Sequence, residues 1–150
     1  MRIQHKNLTI RQAEVADAKQ LAAWWNDGAV MAHAGFPNGL GTTEEEVVKG
    51  LRNGLLVVEE SDRLIGECNY HNVSDGVVEI GIKICETDCQ NRGVGRKVLS
   101  MLIGWLFQNR PRYQLNKHKS AARLRITWIP QDTNQYRFLE RPVWSASIIG

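Results

Sequence analysis

The 150-residue chain is poor in the residue types that build specialised scaffolds. It has three cysteines, four prolines and 7% aromatic residues. Cys68, Cys85 and Cys89 are an odd number at no framework spacing. This excludes a disulfide miniprotein and points to a reducing, cytoplasmic compartment. Cys85 and Cys89 stand four apart without a second pair, so no metal site is expected, and Cys85 reads as a core residue. Long apolar runs are also missing. None reaches the roughly 20 residues of a membrane-spanning helix, and the opening MRIQHKNLTIRQ lacks the apolar stretch of a secretory signal. With 43% hydrophobic and 23% charged residues, neither a disordered chain nor a collagen-like fibre is in question. The length gives one domain, or one domain plus a tail, which buries roughly 70% of its extended-chain surface without a staple.

What charge there is lies unevenly. The net charge is +3, yet residues 1–107 sum to −3 and residues 108–150 to +6. A basic C-terminal tail on an acidic domain is the ordinary mark of a nucleic-acid arm.

Periodicity organises residues 7–108. Leu8-Thr9-Ile10-Arg11 alternates, which predicts a strand near 7–13. Val15, Ala18, Leu21, Ala22 and Trp25 fall at helical spacing over 15–26, and Asn26-Asp27-Gly28 ends that helix. Gly35, Pro37, Gly39 and Gly41 make 29–41 a loop. Thr43-Glu44-Glu45-Glu46 spells a capping box before a short helix to about Arg52. The apolar run Leu55–Glu60 reads as a buried strand. The turn Ser61-Asp62-Arg63 folds Leu64–Asn69 back on it as a hairpin. Val77–Cys85 is a further strand, and Val94, Val98, Leu99, Met101, Leu102, Trp105 and Leu106 give a helix over 94–108. The expected class is α/β in the α+β sense: a mixed, mostly antiparallel sheet flanked by helices. The last helix needs one more strand beside 77–85 to complete its crossover.

The feature that carries chemistry is Gln90-Asn91-Arg92-Gly93-Val94-Gly95, set between an apolar strand and an amphipathic helix. A helix start exposes unpaired amide hydrogens and the positive end of the macrodipole, so anions bind there. Gly93 and Gly95 let the backbone come close to a bulky phosphate, and Arg92, Arg96 and Lys97 add charge around the same turn. These residues suit a pyrophosphate. Neither a P-loop nor a Rossmann glycine pattern is present, and a glycine turn before a core helix is the plainer alternative.

Q-x-x-G-x-G following V-E-I-G-I-x-I resembles the acetyl-coenzyme A motif of the GNAT N-acetyltransferases. The upstream segments T-I-R-Q-A-E-x-x-D-A-x-x-L, W-W-N-D and L-I-G-E-x-N-Y agree with the entry to that fold, so the resemblance covers residues 7–108. It implies acetyl-CoA as co-substrate, its diphosphate on the amides of Gln90 to Gly95. It also implies a pantetheine arm bonded along Ile82, Lys83, Ile84 and Cys85. The implied reaction is direct attack of a neutral amine on the thioester, which needs a base. Glu79 is the candidate base; its other reading is an ordinary outward carboxylate. Trp24, Trp25, His33 and Phe36 lie in or near the loop that covers the acceptor pocket in the family. Trp25, His33 and Phe36 are the substrate candidates, and one core and one partly exposed indole is the plainer account of the tryptophan pair. The implied acceptor is a small-molecule amine or a protein amino group. No membrane partner is expected, and homodimers are common in the family.

Residues 109–150 break the resemblance. The family places a strand, a helix carrying N-x-R-A-x-x-x-Y-E-x-x-G-F and a final strand here, with the tyrosine acting as acid toward the leaving thiolate. None of this is written in the chain. Back-translated with degenerate codons and read one nucleotide later, residues 108–131 permit KIVLDTNLTNTRAQHVYE, then Ser or Leu, then LGFRK. The single tryptophan codon of Trp128, followed by the A that opens every isoleucine codon, makes the glycine of G-F obligatory. The expected organisation is therefore an incomplete GNAT domain over 1–108 and a frameshifted basic tail over 109–150. On that reading the basic charge is an accident of frame, and no nucleic-acid partner is expected. The strand at 77–85 would keep an unpaired edge, unless Tyr113-Gln114-Leu115 or the alternating Leu124–Ile129 fills it. Three functions compete: an acetyl-CoA-dependent N-acetyltransferase, a non-catalytic coenzyme A-binding scaffold, and a nucleic-acid binder using the tail.

Overall fold

The computed structural model describes residues 1–51, 54–74, 77–109 and 124–128. Residues 52–53 and 75–76, the Tyr113–Leu115 segment and most of the basic tail lie outside them. Strands β1 (Arg2–His5), β2 (Leu8–Gln12), β3 (Leu55–Glu60), β4 (Arg63–Ser74), β5 (Val77–Ile84) and β6 (Leu124–Trp128) form one sheet in chain order. Each neighbouring pair is antiparallel except β5–β6, which is parallel. Helices α1 (Ala18–Asn26), α2 (Gly28–Met31) and α3 (Glu44–Gly50) precede β3. Helix α4 (Val94–Asn109) lies between β5 and β6 in the chain.

The apolar run of β3 is continuous because both its faces are covered. Leu56 and Val58 join the cluster of Ile10, Ile65, Cys68, Ile80 and α4's Val98, Leu102 and Leu106. Val57 points the other way, to Leu21, Ala22, Trp24 and Val47 of α1 and α3. Leu56, Val57 and Val58 are all fully buried, and complete burial of such a side chain contributes about 1.5–3 kcal/mol. The turn after β3 puts both Ser61 (φ 51°) and Asp62 (φ 63°) in the left-handed region, the conformation a two-residue hairpin loop requires. The capping box is present: Glu46 N donates to Thr43 Oγ1 at 3.2 Å and Thr43 N to Glu46 Oε2 at 2.9 Å.

Two expectations need correction, and of the alternatives for the β5 edge one is realised. Strand β1 was not foreseen: Arg-Ile-Gln-His has one apolar residue, as suits an edge strand held by pairing from Arg2↔Arg11 to His5↔Leu8. The stretch 29–41 is not all loop, because Asp27 Oδ1 accepts the Ala29 amide at 2.8 Å and starts a short helix. The edge of β5 is not left unpaired either. Leu124–Trp128 pairs along it from Val78↔Leu124 to Ile82↔Trp128, so β5, α4 and β6 complete the crossover.

Candidate functional site

The chain leaves β5 at Ile84 and reaches α4 through a tight, pinned connection. Arg63 donates to Asp88 Oδ2 at 2.7 Å and to Glu86 Oε2 at 2.8 Å, bracing a single 3-10 turn at Thr87–Cys89. Gln90 Nε2 donates to the Ile84 carbonyl at 3.1 Å and ties the turn to the strand end. Asn91 (φ 58°) and Gly93 (φ 74°) are left-handed. Such residues beside right-handed ones gather backbone N–H groups into an anion-binding concavity. The first α4 hydrogen bond runs from Lys97 N to Gly93 O at 3.2 Å. The amides of Val94, Gly95 and Arg96 therefore precede any carbonyl one helical turn back.

This turn is open. A Cβ placed on Gly93 would meet nothing within 4 Å, and one on Gly95 would meet only Ile84 Cγ1 at 4.0 Å. The cations around it divide. Arg92 is drawn to Glu60 Oε2 at 3.3 Å and the Asp88 carbonyl at 3.4 Å. Arg96 and Lys97 are exposed.

On the opposite sheet face from α4, the paired strands β4 and β5 carry a row of polar residues: Glu67 opposite Lys83, Asn69 opposite Gly81, His71 opposite Glu79. Glu79 is partly buried, with Oε2 at 3.5 Å from His71 Nε2. Lys83 was expected at the cofactor. Its backbone lies on β5 one residue past the last β6 pair, but its side chain turns away from the α4 turn. Lys83 Nζ is 3.1 Å from Glu67 Oε1 and 3.1 Å from Met31 Sδ. Trp25 joins them, its Nε1 donating to both Glu67 oxygens at 3.1 Å. Trp24 is the buried indole of the pair and donates to Glu86 Oε1 at 2.8 Å, so α1 also reaches the connection into α4. His33 lies on a 3-10 turn, Ala32–Ala34, and Phe36 is 47% exposed beyond it. Glu67 and Met31 escaped the sequence reading. The signal available was Glu67's place in L-I-G-E-x-N-Y, a carboxylate amid otherwise buried positions.

The three thiols take no part. Burial pushes those of Cys68 and Cys85 well above their usual value, burial with the nearby Asp88 and Glu60 carboxylates raises that of Cys89, and among the described residues no cluster of His, Cys, Asp or Glu could hold a metal. A thiol-reactive disulfide reagent should find almost no free thiol in the native protein and three after denaturation.

An acetyltransferase (GNAT) domain model matches residues 7–141. The chain belongs to the GNAT acetyltransferase family. Solved structures of this GNAT fold superpose on it. One is the GNAT-family acetyltransferase from Bacillus anthracis: 23% identity, 72% of this chain and 67% of that one, TM-score 0.60. Another is the ribosomal-protein-S5-alanine acetyltransferase from Vibrio fischeri: 17% identity, 72% and 68%, TM-score 0.55. A third is RimL, the ribosomal L7/L12 alpha-N-protein acetyltransferase, in complex with coenzyme A: 14% identity, 71% and 67%, TM-score 0.55. The chain thus spans about two thirds of the length of each. No curated protein sequence matches it. The family match runs on past residue 108, through much of the segment that the sequence reading sets apart. Among the described residues no helix of this GNAT domain is long and apolar enough to cross a membrane.

Proposed function

We propose that the protein is an acetyl-CoA-dependent N-acetyltransferase whose acceptor is a primary amine, either a small molecule or a protein amino group. The observation that carries this reading is the open, glycine-lined start of α4 directly after β5, in a chain of this family. The donor set fits the group: unpaired amides at a helix start and the exposed Arg96 and Lys97 suit a diphosphate, while Gln90, Asn91, Gly93, Val94 and Gly95 shape the turn. In this proposal Arg92 mainly braces the turn through Glu60. Ile82, Lys83 and Ile84 offer strand backbone to the pantetheine arm.

Acetyl-CoA would supply the activated acyl group as a thioester. An acceptor amine arrives protonated at neutral pH and attacks only after losing that proton. Glu79, half-buried on β5, accepts it. The lone pair then forms the N–C bond as the C–S bond breaks; the thiolate leaves with the bonding pair, and the surplus proton on the new amide nitrogen passes to it through solvent. Trp25, His33 and Phe36 are placed at the acceptor side. Two structural relatives bear names that make them acetyltransferases of ribosomal proteins, one of them an alpha-N-protein acetyltransferase, and that supports the protein-amine branch.

A second reading, a coenzyme A-binding scaffold with impaired turnover, has its own support. In the frame as written, residues 109–150 contain no N-x-R-A-x-x-x-Y-E helix, so the family's acid toward the thiolate is missing. We propose that this segment is a frameshifted family ending that forms no domain of its own, and that β6 is an out-of-frame sequence taking the place beside β5. The nucleotide sequence checks it: the Leu115 codon should be CTT and the Ala121 codon GCA, and other codons at both would end the idea.

Coenzyme A at a hundredfold excess over its Kd should stabilise the fold by about 2.7 kcal/mol, a rise of roughly 5–10 °C in Tm for a chain this size. No shift in a folded sample would defeat both readings. Thiol release from acetyl-CoA with an amine panel then separates enzyme from scaffold. Salt-dependent binding to nucleic acid would instead favour the tail as an arm.

A further inference from the structure

A buried ion pair on two central strands is an expensive thing to keep. Well-packed apolar residues of the same volume usually hold a fold as well or better. Glu67 and Lys83 are such a pair, directly opposite on β4 and β5, each with a side chain only 10% exposed. Their remaining contacts all go to one place. Trp25 near the end of α1 donates to both Glu67 oxygens, and the Met31 sulfur at the end of α2 receives Lys83 Nζ. The same two residues anchor the chain that follows. The Trp25 carbonyl accepts the Leu40 amide at 2.8 Å, and the Met31 carbonyl accepts the Phe36 amide at 3.1 Å. Phe36 and Leu40 are two of the few large apolar side chains left exposed.

We propose that Glu67 is a positioning residue for the acceptor side of the site. Through Trp25, Lys83 and Met31 it latches the segment Gly28–Gly41 onto the β4–β5 face, one residue before the strand end that meets the α4 turn. The inference rests on the acetyltransferase reading for what the segment serves, but the latch itself can be measured without turnover. Its directionality gives it content. Half-buried Trp25 Nε1 needs a hydrogen-bond acceptor, and Lys83 needs a counter-charge; Glu67 supplies both, whereas apolar packing supplies neither.

The test compares wild type, Glu67→Gln, Lys83→Met and the apolar double variant Glu67→Leu/Lys83→Met. The measurements are amide hydrogen exchange by mass spectrometry, Tm, and coenzyme A binding by calorimetry. In both single variants, exchange within 28–41 should rise at least tenfold while that of β2 and β3 changes less than twofold, and in Glu67→Gln the Kd for coenzyme A should change less than twofold as well. The double variant should regain wild-type Tm yet not the protection of 28–41. Unchanged exchange in 28–41 would overturn the proposal. So would a rise shared equally by β2 and β3, or full recovery in the double variant, since each makes the pair merely structural. Failure of the wild type to bind coenzyme A would sink the acetyltransferase reading and leave the exchange result to judge the latch alone.

Discussion

Arg11→Met should destabilise the fold by about 3–5 kcal/mol, the ordinary cost of removing one partner from a buried ionic cluster. For a domain of this size that is a drop of roughly 6–20 °C in Tm. Arg11 leaves β2 toward α1 and meets two carboxylates that sequence distance keeps far apart. Its NH1 and NH2 grip Asp17 Oδ2 and Oδ1 at 2.7 and 2.8 Å, and its Nε reaches Glu59 Oε1 at 2.8 Å. The two-pronged contact to Asp17 is the strong, directional form of this pair. Asp17 is 3% exposed and Glu59 8%. Without the guanidinium, two carboxylates share one dry site on the seam between β2, β3 and the entry to α1. Arg11→Lys should recover only part of the loss, because an ammonium cannot satisfy both oxygens of Asp17 and Glu59 in one plane.

The same cluster predicts an acid limb with a definite sign. Burial pushes the Asp17 carboxyl up, but the hydrogen bonds from Arg11 and from the Glu14 amide prevail and hold it below its ordinary 3.8. A group with a lowered folded value stabilises the fold fully above its unfolded pKa, and that stabilisation is lost as pH falls through the folded value. Wild type should therefore weaken below about pH 3.8. The gap between wild type and Arg11→Met should narrow as pH falls, starting above that range, because buried carboxylates without a counter-charge take up protons early and so lose the uncompensated charge. Urea denaturation series at pH 7 and pH 3 would measure both effects. An unchanged gap would mean that Arg11 acts by packing alone.

Neither Arg11's role nor Glu67's was legible in the sequence, for one physical reason. Local pattern reveals which face of an element is apolar, but not which polar residues meet across elements. Glu79 reads as a candidate base or an outward carboxylate, and Glu67 sits unremarked on the preceding strand. Only the register of β4 against β5, and the approach of α1, separate a buried latch from a half-exposed candidate base. The elements whose signals are local came through: the 94–108 helix, the Leu55–Glu60 strand, the Thr43 cap and the hairpin at Ser61-Asp62. So did the glycine turn between β5 and α4, as a turn, because glycine placement after a strand is itself a local signal. The misses follow the same line. Strand β1 has a single apolar residue, Ile3, so pairing with β2 alone makes it a strand. The helical turn at Gly28–Met31 hides among glycines and depends on the Asp27 side chain. β6 is not a miss: the short alternation of Leu124–Ile129 and β5's need for a neighbour already single it out as one of two candidates for that edge.

Gly95→Asp should move stability and ligand binding in opposite directions. A side chain at this position enters open space, since a Cβ there meets only Ile84 Cγ1 at 4.0 Å. The new carboxylate sits in the first turn of a 16-residue helix, where negative charge is favoured by about 0.3–1 kcal/mol, and losing a glycine from a helix adds a similar gain. Without ligand, Tm should hold or rise slightly. Yet the carboxylate occupies the ground where the proposed diphosphate would rest. Two like charges about 5 Å apart repel by roughly 3 kcal/mol at an effective dielectric near 20, which is on the order of a hundredfold in Kd. Gly93→Ala is the complementary control. Its φ of 74° imposes a backbone cost of about 1–2 kcal/mol on any residue with a Cβ, with no added charge, so it should lower Tm and weaken coenzyme A far less. Calorimetric titration of coenzyme A into the two variants, beside their melting curves, separates the effects. If Gly95→Asp binds coenzyme A as tightly as wild type, the diphosphate does not rest on the start of α4.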